Sequence, residues 1–166
     1  MDTTYKKGAH QNIIDAFRRQ QYDILVGTQM IAKGLDFPKV TLVGVINADA
    51  SLNIPDYRSS ERTFQLLCQV SGRAGRGEAK GEVIIQTLNP NHYSIAYAKK
   101  HDYISFYKEE MKIRKQLNYS PYYYIILIRL KTKDYELSFQ EAKKVGEYLR
   151  KNLSPGTYLL GPAMAN

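Results

Sequence analysis

Apolar positions follow two periods along this chain. Over residues 9–20, Ile13, Ile14 and Phe17 fall at helical spacing and predict an amphipathic helix ending in Arg18 and Arg19, cations suited to a helix C-terminus. Short apolar runs follow at 24–26, 40–46 and 82–87, the second of them Val-Thr-Leu-Val-Gly-Val-Ile. Their β-branched residues and their apolar character on both faces predict buried strands. Between the second and third run, Ser59 or Ser60 serves as N-cap, with Glu61 in the first turn, for a helix carrying Phe64, Leu66, Leu67 and Val70. Helices alternating with such strands argue for an α/β fold, a parallel sheet covered on both faces. Ligands of these sheets collect beyond the carboxyl ends of the strands.

Asn89-Pro90-Asn91 is a turn cluster, and a domain boundary is expected there, dividing the chain into 1–91 and 92–166. Residues 92–117 read as helical, in two pieces broken near His101-Asp102, with an apolar stripe through Tyr103, Ile104, Tyr107, Met111 and Leu117. Asn118-Tyr119-Ser120-Pro121 ends it. Residues 122–131 (Tyr-Tyr-Tyr-Ile-Ile-Leu-Ile-Arg-Leu-Lys) form the strongest strand pattern in the chain. An amphipathic helix over 135–152 and a short strand at 158–160 follow. This β-α-β order implies a small α/β or α+β domain, incomplete because two strands and a helix have little area to cover.

Composition narrows the picture. Hydrophobic residues at 43% and charged residues at 24% are ordinary for a soluble globular chain. The net charge of +8 favours a polyanionic partner, because Lys and Arg neutralise phosphates and release counterions. A single cysteine, Cys68, excludes a disulfide framework and a cysteine-based zinc site within the chain, and reads as a small buried apolar residue. His10, His92 and His101 show no metal-ligand spacing, so no metal site is expected in this chain. With no signal peptide at the start and no apolar run of membrane-spanning length, the cytoplasm is the expected compartment and no membrane partner is expected.

The chemistry concentrates in Gln69-Val70-Ser71-Gly72-Arg73-Ala74-Gly75-Arg76-Gly77, where two arginines, each preceded by glycine, close an apolar helix. Glycine permits a sharp turn and close approach to a ligand, and an arginine fork matches phosphate oxygens at any pH near neutrality. The alternative is a solvated basic helix end. A second stretch, Thr28-Gln29-Met30-Ile31-Ala32-Lys33-Gly34-Leu35-Asp36-Phe37-Pro38, follows the first strand run. Its hydroxyl and backbone N–H groups suit phosphate, while a carboxylate suits a hydroxyl or a guanidinium. Lys33 as a solvated lysine and Asp36 as a plain turn residue remain alternatives.

The pairing of Thr28…Gly34-x-Asp36 with Gln69-x-x-Gly72-Arg73-x-Gly75-Arg76 resembles motifs V and VI of superfamily 2 helicases. The stretches 27–38 and 55–67 (Pro-Asp-Tyr-Arg-Ser-Ser-Glu-Arg-Thr-Phe-Gln-Leu-Leu) resemble the replication-restart helicases within them. The resemblance implies part of a RecA-like helicase lobe, then the start of a C-terminal domain. It gives Arg76 the arginine-finger role at the γ-phosphate of ATP, with Arg73 on the same phosphates and Gln69 orienting them. Structural ion pairs for the arginines, and helix capping for Gln69, are the plain alternatives. Gly34 and Asp36 would lie near the nucleotide; Thr28, Gln29 and Lys33 would touch the DNA sugar-phosphate chain. Arg58 and Arg62 stay unassigned, since Arg62 can pair with Glu61 or Asp56. Tyr122, Tyr123 and Tyr124 allow base stacking, although aromatics opening a strand favour core packing.

No Gly-x-x-x-x-Gly-Lys-Ser/Thr loop and no Asp-Glu-x-His-type magnesium box occur in the sequence. The resemblance places those ATP and Mg²⁺ groups in an earlier helicase lobe, and zinc-binding cysteines also outside this segment. The chain is therefore expected to be a fragment without ATPase activity of its own. Its parent would be a 3′–5′ ATP-dependent DNA helicase for primosome assembly and restart of stalled forks. The partners implied are forked or single-stranded DNA, primosome proteins and single-strand-binding proteins. A non-enzymatic nucleic-acid-binding module, and another superfamily member such as a branch-migration enzyme, are the competing readings.

Overall fold

A computed structural model of the chain describes residues 9–28, 37–72, 74 and 81–163. The element order is α1 (Ala9–Arg18), β1 (Leu42–Val45), α2 (Asp49–Leu52), α3 (Ser59–Ser71), β2 (Glu82–Ile85), α4 (Tyr93–Lys99), α5 (Tyr103–Gln116) and α6 (Tyr135–Asn152). Strands β1 and β2 pair in parallel, Leu42 opposite Glu82 and Val45 opposite Ile85. Two parallel strands need a crossover, and α2 with α3 supplies it, as the alternation of elements predicts.

The sheet is covered on one face only. Along both strands exposed residues alternate with half-buried ones. Val45 and Ile85 pack against a core of Ala48, Phe64, Leu67, Ile95, Ala98 and Phe106. Leu42 and Ile84 on the other face stay about half exposed. The expectation of cover on both faces is corrected to this extent, since α3 and α4 lie on the core side and nothing among the described residues buries the other.

Three predicted strands are not strands. Residues 24–26, 122–131 and 158–160 join no ladder, and Tyr122 and Tyr123 sit in a turn and a bend. Ile24 and Val26 in the first, and Tyr124 and Ile126 in the second, are largely exposed. A strand exists through its ladder, and these runs pair with neither strand of the described sheet. Core packing is likewise corrected for Tyr122, Tyr123 and Tyr124, all of which are exposed.

The predicted helices form, and their ends have local causes. Helix α4 is capped by His92, whose Nδ1 accepts from Ser94 N. His101 then adopts a left-handed φ of 53° and Asp102 caps α5 by accepting from Ser105 N, which produces the predicted break. Asn118, at φ 57°, ends α5. Tyr119 N donates to Arg114 O and Asn118 N to Lys115 O, the paired bonds of a Schellman ending. Helix α3 differs from its predicted start: Arg58 occupies the N-cap without a side-chain cap bond, and the Asp56 carboxylate accepts from Arg58 N instead.

Two compact units divide after Tyr123. They do not coincide with the boundary expected near Asn91, because α4 and α5 belong to the core of the first unit. Phe64 of α3 stacks on Phe106 of α5 with centroids 4.1 Å apart. In the second unit, Asp134 caps α6 through Glu136 N and Leu137 N. The buried face of α6 at Gly146 lies 3.5 Å from Pro162 Cδ, measured from where a Cβ would stand.

One polar network locks α3 to α5. Arg114 Nη2 donates to Glu61 Oε2 and Nε to Glu110 Oε1, both at 2.7 Å. Tyr93 Oη donates to Glu110 Oε2 at 2.6 Å. The guanidinium also lies over the Tyr57 ring, 5.2 Å from its centroid. Glu110 is only 5% exposed, and two bonds, from Arg114 and from Tyr93, satisfy its carboxyl group there. Burial, then the bond to Glu110, pushes the Tyr93 hydroxyl up to about 12. Arg114→Ala strands Glu110 with one partner. It is expected to cost about 3 kcal/mol in urea unfolding. Arg18→Ala, at a surface pair with Asp15, is expected to shift stability by less than about 0.5 kcal/mol.

Candidate nucleotide and nucleic-acid site

Helix α3 positions the motif. Its buried side, Thr63, Phe64, Leu67 and Val70, faces the core, while Gln65 and Gln69 are exposed. Gln69 therefore stands on the open side of the last turn. Gly72 closes the helix, its N–H donating to Cys68 O at 3.1 Å. Gly72 has an ordinary φ of −74°, and a Cβ there would meet only Cys68 O and Gln69 O at 3.6 and 3.7 Å. The sharp turn does not require this glycine; a close approach by a ligand remains a reason for it. A helix C-terminus carries partial negative charge, so the helix dipole itself does not favour a phosphate at this end.

Of the other site residues, Thr28 is exposed, in a stretch that forms no helix or strand. Gln29, Lys33, Gly34, Asp36, Arg73 and Arg76 lie outside the described residues. Among the described residues, no three His, Cys, Asp or Glu side chains converge as metal ligands, and no helix is long and apolar enough to cross a membrane.

The carboxyl ends of β1 and β2 carry a knot that the sequence reading missed. Asp49 accepts from Thr87 Oγ1 and from Leu88 N, both at 2.8 Å, and the Leu88 bond first holds its carboxyl below the usual range. Ala48 N donates to Gln86 O, and Asn47 Oδ1 takes Ala50 N. A recess of about 290 Å³ opens here, lined by Ile46, Asn47, Asp49 and residues 86–88. The signal available was Asn47-Ala48-Asp49, residue types that bond nearby backbone at a strand-to-helix turn.

Asp56 settles the two unassigned arginines. Arg58 grips it with Nε to Oδ1 at 3.0 Å and Nη2 to Oδ2 at 2.9 Å, and Arg62 Nη1 reaches Oδ2 at 3.1 Å. Of the two partners open to Arg62, it takes Asp56; Glu61 takes Gln65 Nε2 and Arg114. The loop before α3 is thus an ion-paired brace. The Arg114 link to Glu61, spanning 53 positions, left no local signal in the sequence.

Comparison with known proteins adds the decisive observation. Residues 1–78 match the helicase conserved C-terminal domain. Replication restart protein PriA of Bacillus subtilis is 53% identical over 98% of this chain and 20% of that protein. The Synechocystis protein of the same name is 50% identical over 99% of the chain and 20% of its own length. That of Haemophilus influenzae is 34% identical over 99% and 22%. The chain belongs to the PriA family. It spans about one fifth of the length of the PriA relatives it matches. The parallel β1–β2 pair with flanking helices fits the α/β architecture of a RecA-like PriA lobe.

The brace gives a pH prediction. The Arg58 side chain bonded to Asp56 holds its carboxyl down at about 2 from an ordinary 3.8. A depressed acid contributes stability that is present above the unfolded value and lost as pH falls through the folded one. Stability should therefore decline between pH 3.8 and about 2 through this group. Asp56→Asn should make the decline in thermal midpoint over that window shallower than in the unmodified chain.

Proposed function

We propose that this segment works as the motor-coupling part of a PriA-type ATP-dependent DNA helicase that unwinds 3′ to 5′ and supports primosome assembly and restart of stalled forks. The observation that supports the reading is the exposure of Gln69 and Gly72 at the end of α3, a helix whose other side is locked into the core. Such a helix is a rigid mount for the arginines that follow it.

In this reading Arg76 places its guanidinium at the γ-phosphate, where it offsets charge developing during phosphoryl transfer. Arg73 holds the same phosphates, and Gln69 orients the two arginines. Gly34 and Asp36 lie beside the nucleotide. Thr28, Gln29 and Lys33 hold DNA backbone, the sequence-independent contact a translocating motor needs. ATP with Mg²⁺ supplies the free energy of the cycle, and its main binding groups belong to parts of the longer protein outside these residues. Zinc, where present, is likewise held elsewhere. The grip of motif V changes with the state of motif VI through differential affinity in a hinge motion. Forked or single-stranded DNA is the substrate, primosome and single-strand-binding proteins are the partners, and the bacterial cytoplasm is the compartment.

DNA-stimulated ATP hydrolysis by the longer protein tests the assignment. Arg76→Ala is expected to lower turnover ~10³-fold or more with ATP affinity and folding retained. Unchanged turnover would remove the finger role and leave a phosphate-binding module without catalysis. The 166-residue chain alone is expected to hydrolyse no ATP.

A further inference from the structure

Residues 1–78 carry the match to the helicase domain, yet the guanidinium that holds α3 reaches it from outside them. Arg114 lies on α5, with its side chain only 11% exposed. Each of its nitrogens serves a different element. Nε donates to Glu110 Oε1 on α5 itself, Nη2 to Glu61 Oε2 on α3, and Nη1 to Ser120 O at 3.3 Å in the turn after α5. The guanidinium lies over Tyr57, in the loop before α3, and that ring packs on Tyr119 with centroids 5.4 Å apart. A buried ion pair adds little stability over apolar residues of the same volume, so stability alone gives no reason for so complete a set of bonds. What the set adds is direction.

Glu61 carries that fixed point along α3. Its other oxygen, Oε1, accepts from Gln65 Nε2 at 3.1 Å. Gln69 follows one turn further on, and the three residues, spaced four apart, rise along one side of the helix. About 12 Å of helix, at 1.5 Å per residue, separates Glu61 from Gln69. The apolar side of α3, with Phe64, Leu67 and Val70, supplies attraction but accepts small shifts, whereas a hydrogen bond weakens steeply with angle. Catalysis is sensitive on that scale, since a displacement of ~1 Å caused far from the chemistry can lower the rate ~10²-fold. We infer that Arg114 and Glu61 are positioning residues for ATP turnover, setting the height and rotation of α3 from which Gln69 and the arginines after it act. This rests on the proposed helicase role and deepens it, by giving part of the motor's alignment to a residue that follows the matched domain.

DNA-stimulated ATP hydrolysis by the longer protein, with thermal midpoints measured alongside, tests it. Glu61→Ala removes the link to α3 and leaves the Arg114–Glu110 pair in place. It is expected to lower kcat about ten-fold or more while the KM for ATP stays within about two-fold. Arg114→Lys keeps a cation beside Glu110 but lacks the fork that also reaches Glu61, and is expected to lower kcat to the same degree. Glu61→Gln retains an oxygen for Arg114 Nη2 and is expected to hold kcat within about two-fold of the unmodified protein. Ile14→Ala, at a buried α1 position outside the core cluster around α3, is the destabilised reference; it should lower the thermal midpoint but not kcat. Unchanged kcat in Glu61→Ala and Arg114→Lys would overturn the positioning role alone. A matching loss in Ile14→Ala would trace the effect to stability and overturn it too, and an equal loss in Glu61→Gln would overturn positioning through hydrogen bonds. A longer protein without ATP turnover would overturn both this inference and the helicase reading. Unchanged turnover in Arg76→Ala, beside a loss in Glu61→Ala, would overturn the finger role alone.

Discussion

A guanidinium shared by two carboxylates holds the first unit in register. Arg114 joins Glu110 on its own helix to Glu61 at the start of α3, and Tyr93 on α4 completes the set. Three helices, α3 and the adjacent pair α4 and α5, thereby meet at one charge cluster. Buried charges are unforgiving: a slide of α3 by one residue would break the Glu61 contact and leave charge without partners. Apolar contacts such as Phe64 on Phe106 supply attraction but tolerate small shifts. The network therefore selects one placement of α3, and everything at the far end of that helix inherits it.

That division of labour separates the arginines of this chain into two kinds. Arg58, Arg62 and Arg114 are committed to carboxylates of the fold. Their bonds brace the loop before α3 and the seam beside it. The arginines that follow Gly72 in the sequence lie outside the described residues, and a helix C-terminus is an end where cations are favoured. The phosphate-handling role proposed for them and the structural role of the others would be two uses of one planar donor fork.

Much of the helical architecture was legible in the sequence, since helices carry their signals locally. The break at His101-Asp102, the ending at Asn118 and the 135–152 helix rest on residues that cap, turn or repeat at short range. The strand at 42–45 and its parallel partner at 82–85 were legible for the same reason, as short β-branched runs separated by a helix. Residues 24–26 and 122–131 carry the same kind of run without a ladder, because pairing depends on an edge that no local pattern encodes. The Arg114 cluster was illegible too: Glu61 and Arg114 are ordinary charged residues until the fold brings them together. Of the motif residues read from their spacing, Gln69, Gly72 and Thr28 are exposed and the other named site residues lie outside the described residues.

The account stands or falls on whether nucleotide and DNA act at the end of α3 and at the Thr28 segment together. Amide hydrogen exchange in the longer protein, with and without a non-hydrolysable ATP analogue and single-stranded DNA, reads both segments at once. The account predicts slower exchange at 69–72 when the analogue binds and at 25–28 when DNA binds, with a further change at each when both are present. Exchange at 69–72 that is indifferent to the analogue, in a protein shown to bind it, would contradict the account.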